Sequence, residues 1–196
     1  MIFLYSGTPG SGKSLHTAEV ITNGLKRKRP IICTFDVDHN LKGYKYFTYV
    51  NDRNLTPKFL IEYSQRYFNG KRIQEDKILL VIDEAGLLFN ARDWNACDRN
   101  AWLKFFSLHR HYGYCVILIA QYDRMLDRQI RSLIEYQYIH RKLTNYGMKG
   151  KFLNLIFGGH TFISVKVWYP MKEKVGQDIF HGSKKLISVY DSYQEF

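Results

Sequence analysis

Cysteine is scarce in this chain: three in 196 residues, Cys33, Cys97 and Cys115, with no CxxC pair among them. An odd, scattered set excludes a disulfide framework and a cysteine-based zinc site, and it fits a reducing compartment. Two of the three fall in strand-like runs, where cysteine packs as a small apolar residue. The histidines add no metal signal. His109 and His111 flank Arg110, but no carboxylate or cysteine cluster stands at ligand spacing, so no protein-held transition metal is expected. No apolar run approaches the roughly 18 residues that a bilayer span needs. Met1 to Ser6 lacks a basic leader, so no signal peptide is expected and the chain reads as a soluble, cytosol-facing piece. With four prolines there is no proline-rich linker, and no internal repeat or low-complexity block appears. The expected organisation is one domain over 1–196, with a core to about 142 and a β-rich extension over about 143–196.

Acid is also in short supply: 18 Asp and Glu against 29 Lys and Arg give a net charge of +11. That balance suits a polyanionic neighbour, either nucleic acid or an anionic membrane face, and it equally describes a solvated basic surface.

Apolar runs alternate with longer mixed segments. Ile31–Phe35, Tyr46–Val50, Lys77–Ile82 and Cys115–Ala120 read as strands; the third is continuously apolar, as parallel strands buried on both faces tend to be. Leu15, Ala18, Ile21 and Leu25 recur at helical spacing. Thr56 as cap and Pro57 at the first helical position predict a helix over 57–68, and a second is expected over 100–112. Strands joined by helical crossovers imply an α/β domain with a mainly parallel sheet. Tyr136–Lys142 and Thr161–Trp168 alternate apolar and polar residues across a stretch holding Gly147, Gly150, Gly158 and Gly159, which predicts an antiparallel extension at one sheet edge.

The sharpest motif is Gly7-Thr8-Pro9-Gly10-Ser11-Gly12-Lys13-Ser14, directly after a strand-like run and before the amphipathic helix that Leu15 opens. G-x-x-x-x-G-K-S is a phosphate loop. Its glycines bring backbone N–H groups close to a phosphate chain, Lys13 reaches the β/γ-phosphates, and the Ser14 hydroxyl offers one ligand to Mg²⁺. Asp83 and Glu84 end the apolar run Ile78–Ile82, where an aspartate can hold Mg²⁺ and the next acid can orient or deprotonate an attacking water. Gln121 closes the following strand, where an amide can sense a γ-phosphate. Arg110 lies ahead of that strand, at its opposite end. It either reaches a neighbouring subunit or a phosphate backbone, or serves as an ordinary helix-terminal cation.

GTPGSGKS, LLVIDEA, and RHYG running into VILIAQ together resemble the amino-terminal domain of the zonula occludens toxin family, which includes filamentous phage gene I assembly proteins. The resemblance implies a RecA-like P-loop NTPase that uses ATP and Mg²⁺ to drive phage assembly and export at the cytoplasmic side of the bacterial inner membrane. It implies phosphate and Mg²⁺ binding by Lys13 and Ser14, metal binding by Asp83, water activation by Glu84 and sensing by Gln121. Members continue into a membrane span and work with coat or assembly proteins, so the chain is expected to be a fragment of an oligomeric, membrane-anchored protein. It departs from many relatives at Asp36, where they carry asparagine. A DNA translocase gripping single strands, with Tyr44 and Tyr46 stacking on bases, stays open. So does a module that holds nucleotide without turning it over.

Overall fold

The computed structural model describes residues 1–90, 96–156, 159–183, 186 and 189; Gly158 lies outside them. One eight-stranded sheet organises the chain: β1 (Ile2–Ser6), β2 (Ile31–Cys33), β3 (Phe47–Tyr49), β4 (Ile78–Ile82), β5 (Tyr114–Ala120), β6 (Tyr136–Lys142), β7 (Thr161–Trp168) and β8 (Glu173–His181). Their spatial order is β3-β2-β4-β5-β1-β6-β7-β8. All pairs from β3 to β6 are parallel, and β6-β7-β8 is antiparallel.

Helices α1 (Lys13–Lys26), α2 (Pro57–Phe68), α3 (Ala85–Leu88), α4 (Ala96–Leu108), α5 (Arg128–Ser132) and α6 (Gly147–Ile156) complete the described chain. The central strands divide their side chains between two cores. Ile78, Leu80, Ile82, Val116 and Leu118 meet Leu60 of α2 and Trp102, Phe105 and Phe106 of α4 on one face. Leu79, Val81, Ile117 and Ile119 meet Ala18, Ile21 and Leu25 of α1 on the other. Burial on both faces is why β4 and β5 are continuously apolar.

Local chemistry sets several boundaries. The Thr56 hydroxyl accepts the Phe59 N–H at 3.1 Å and Pro57 occupies the first turn, so α2 runs over 57–68 as expected. The helix expected over 100–112 instead covers Ala96–Leu108. Beyond it the chain turns through Gly113, whose φ of 75° and contact with the Phe68 ring leave no room for a Cβ, and so enters β5. Tyr136–Lys142 was expected in an antiparallel extension; it also pairs in parallel with β1, so the purely antiparallel part is β7-β8. α6 and β8 have no counterpart in the sequence reading.

Candidate functional site

Parallel strands end on one edge of a sheet, and that edge collects the chemistry. β5 lies between β1 and β4, with Leu4 in register with Leu118 and Leu118 with Ile82. The loop after β1 and the acids after β4 therefore leave the same edge, two strand spacings or about 10 Å apart, with Gln121 between them. The Gly7 N–H donates to the Gln121 carbonyl at 3.2 Å and ties the loop to the end of β5.

The loop is shaped by glycine. Gly7, Gly10 and Gly12 have φ of 146°, 68° and 96°, and Gly12 stands as the N-cap of α1. A Cβ on Gly7 would lie 2.5 Å from the His140 carbonyl oxygen, and one on Gly12 would lie 2.7 Å from the Phe162 ring. Thr8, Pro9 and Gly10 are exposed, Ser14 and Leu15 are half-buried, and the buried Ser11 Oγ has no hydrogen-bond partner. The Lys13 ammonium lies within the loop, donating to the carbonyls of Gly7 at 2.7 Å and Thr8 at 3.2 Å.

Across β5, the Asp83 N–H donates to Thr34 Oγ1 and the Glu84 N–H to Asp83 Oδ1, both at 2.8 Å. Glu84 adopts φ 41° and ψ 40°, a left-handed conformation uncommon for a residue with a side chain. Such strain concentrates at functional sites. Burial pushes the Glu84 carboxyl above its ordinary range and the Asp83 charge adds to this, while Lys13 opposes it. Burial likewise lowers the Lys13 ammonium, against the pull of Glu84 and Asp83. These mutual effects mark one electrostatic neighbourhood. Asp52, just past β3, belongs to it as well: burial and the Asp83 charge raise its carboxyl, and its buried Oδ1 has no hydrogen-bond partner.

Mg²⁺ fits this donor set in kind. A serine hydroxyl and a carboxylate are hard oxygen ligands, and such sites leave the remaining positions to water and phosphate. Among the described residues no group of three or more His, Cys, Asp and Glu could hold a metal.

Behind the loop sits a histidine pair that sequence reasoning missed. His16 Nδ1 and His140 Nε2 are 2.8 Å apart, and His140 Nδ1 is 3.2 Å from the Ser6 carbonyl. Since that carbonyl can only accept, His140 donates from Nδ1 and accepts at Nε2, and His16 donates from Nδ1. His140 is then neutral. Burial lowers His16 to about 4, against Asp178, and lowers His140 to about 3, helped by His16. Tyr5, Tyr138 and Phe180 enclose the pair. A cleft of about 450 Å³ opens beside it, lined by Gly7, Thr8, Gln121, Gln137 and Asn145 among others.

Other candidates lie elsewhere. Arg110 is at the opposite sheet edge, as chain direction requires, where its Nη2 meets Glu135 Oε2 at 2.8 Å. Asp36 bonds the Val37 N–H and His39, and accepts from the Tyr44 hydroxyl. The Tyr44 ring lies against His39 and Phe47, so it is engaged within the protein. Topology alone united His16 with His140; an acid soon after a strand end was the available signal for Asp52.

Comparison with known proteins agrees with this geometry. The family profile described as zonular occludens toxin (Zot) matches residues 1–194. The gene 1 protein of Enterobacteria phage I2-2 is 26% identical over 211 residues, covering 100% of this chain and 57% of the phage protein. That of Enterobacteria phage M13 is 30% identical over 128 residues, covering 60% of this chain and 36% of its own length. The match thus spans little more than half the length of the first relative and about a third of the second. Among solved structures, the N-terminal domain of zonular occludens toxin from Neisseria meningitidis has a TM-score of 0.58 at 18% identity, covering 97% of this chain and 98% of that one. The genome packaging NTPase B204 from Sulfolobus turreted icosahedral virus 2, in complex with AMPPCP, has 0.54 at 16% identity, covering 92% and 96%. At such identities the likeness is one of fold.

Proposed function

The chain belongs to the zonular occludens toxin (Zot) family, and from that membership we propose that it is the ATP-hydrolysing motor domain of a filamentous phage assembly protein. One observation carries the reading: the Gly7–Ser14 loop and the Asp83-Glu84 pair leave one sheet edge on either side of Gln121. Loop N–H groups and Lys13 hold the β- and γ-phosphates of ATP. Ser14 and Asp83 hold Mg²⁺, which when bound neutralises charge on the phosphate oxygens. Glu84 takes the proton from the water that attacks the γ-phosphorus, and ADP leaves with the bridging oxygen. A half-buried Glu84 with a raised pKa is a stronger base than a solvated one. Gln121 senses the γ-phosphate, and its carbonyl bond to Gly7 carries the change into the loop.

Similarity to phage gene 1 proteins supports phage-related partners; in this proposal those partners are coat or assembly proteins, the place is the cytoplasmic side of the bacterial inner membrane, and the form is an oligomer of a longer protein. No described helix is long and apolar enough to cross a membrane. The +11 charge favours a second reading in which the motor grips single-stranded DNA directly. DNA-stimulated turnover that falls steeply with salt distinguishes it.

The decisive assay is ATP binding and turnover by parent, Lys13→Ala and Glu84→Gln proteins. Lys13→Ala loses binding; Glu84→Gln binds ATP like the parent and hydrolyses it at least about a hundredfold more slowly. Parental turnover in both variants overturns the assignment.

A further inference from the structure

Helix α6 is oriented against the usual rule. Gly150, the one buried position among the described side chains of α6, packs on the turn at 143–146, where a Cβ would lie 2.2 Å from the Leu143 carbonyl oxygen. On the same side Asn154 donates from Nδ2 to the Gly159 carbonyl and accepts the Thr161 N–H at Oδ1. The small and polar face is therefore the one turned to the protein. Met148, Phe152, Leu155 and Ile156, spaced i, i+4, i+7 and i+8, form a stripe on the other face, exposed to 87%, 65%, 77% and 60%. A helix packed for water alone would be turned the other way.

Charge identifies what covers the stripe. Between Glu135 and Glu173 the sequence has no carboxylate, while Lys149 and Lys151 fall within α6 and Arg141 shortly before it. A second copy of this chain brings the same excess of cations, +11 in all, and the stripe offers nucleic acid aliphatic side chains in place of a row of stacking rings. Apolar side chains in a basic setting match an interface that is apolar below and anionic above. We propose that α6 lies in the plane of an anionic lipid surface, with Met148, Phe152, Leu155 and Ile156 at the boundary between headgroups and acyl chains. This contact does not rest on the nucleotide reading and needs no nucleotide.

The test is co-sedimentation of the full chain with phosphatidylcholine vesicles and with vesicles containing about one third phosphatidylglycerol. The parent binds the anionic vesicles, binds neutral ones at least about tenfold more weakly, and is released by high salt. Phe152→Ser/Leu155→Ser, which removes two exposed side chains, lowers anionic-vesicle binding about tenfold or more with an unchanged thermal melt. If that melt shifts, Met148→Ser alone carries the test with the same expected direction. Absence of parental binding, or equal binding by parent and variant, overturns the proposal. So does self-association of the parent, seen by sedimentation equilibrium and abolished by the variant, because a second copy then covers the stripe.

Discussion

Replacing the histidine pair by His16→Asn and His140→Gln flattens the dependence of stability on pH. Asparagine Nδ2 donates from near the position of His16 Nδ1 and glutamine Oε1 accepts near that of His140 Nε2, so the double variant keeps polar groups there but loses both titrations. In the parent, burial lowers His16 to about 4 and His140 to about 3, from about 6.5 in the unfolded chain. Because both folded values lie below the unfolded one, their contribution to stability is fully present above about pH 6.5 and is lost as pH falls towards 4. Over that window the unfolded chain takes up nearly two protons that the folded chain refuses. Each costs about 1.4 kcal/mol per pH unit, so the pair removes about 3 to 4 kcal/mol between pH 7 and pH 5. Protonation of His140 at Nε2 also leaves two N–H groups facing each other at 2.8 Å, behind the strand end that feeds the loop. Urea unfolding of both proteins from pH 7.5 to 4.5 gives the comparison. Carboxylates titrate alike in the two, so the difference in slope isolates the histidines. Parallel lines between pH 7 and 5 would refute the neutral, buried pair.

Gly12→Ala forces a side chain into φ 96° and against the Phe162 ring. It should lower stability by about 1 to 3 kcal/mol, and Phe162→Ala should restore only the part due to the clash, which thermal melts of the single and double variants measure. Arg110→Ala breaks a partly exposed pair with Glu135, so calorimetry should find a loss below about 1 kcal/mol. A collapse of turnover with the melt unchanged would assign Arg110 to a neighbouring subunit's site. Phe106→Ala, fully buried against Phe89 and Trp102, should cost about 3 to 5 kcal/mol in denaturant unfolding.

What could be read in advance depended on how locally each element is specified. α2 was legible to the residue because Thr56 and Pro57 mark its start chemically. β6 and β7 were legible through their alternation, and β4 and β5 through burial on both faces. β8 was not, because Glu173–His181 is exposed along nearly its whole length and has no apolar face to betray it. α6 escaped for a related reason: its glycines resemble loop residues, and Met148, Phe152, Leu155 and Ile156 face away from the core that periodicity is used to find. At the candidate site, Lys13 was read from the G-x-x-x-x-G-K-S spacing and Asp83, Glu84 and Gln121 from their places just after strand ends, and the structure brings the loop and the acids to one sheet edge. The partnership of His16 with His140 spans 124 residues and depends on β6 lying beside β1, which no local pattern encodes.

The contact between Phe162 and Gly12 joins the outer strands to the loop. β7 is laddered to β6 and β8, and the ring of its second residue lies against the residue that caps α1. The far edge of β8, about three strand spacings or roughly 14 Å from β1, is thereby connected through one aromatic side chain to the backbone of the Gly7–Ser14 turn.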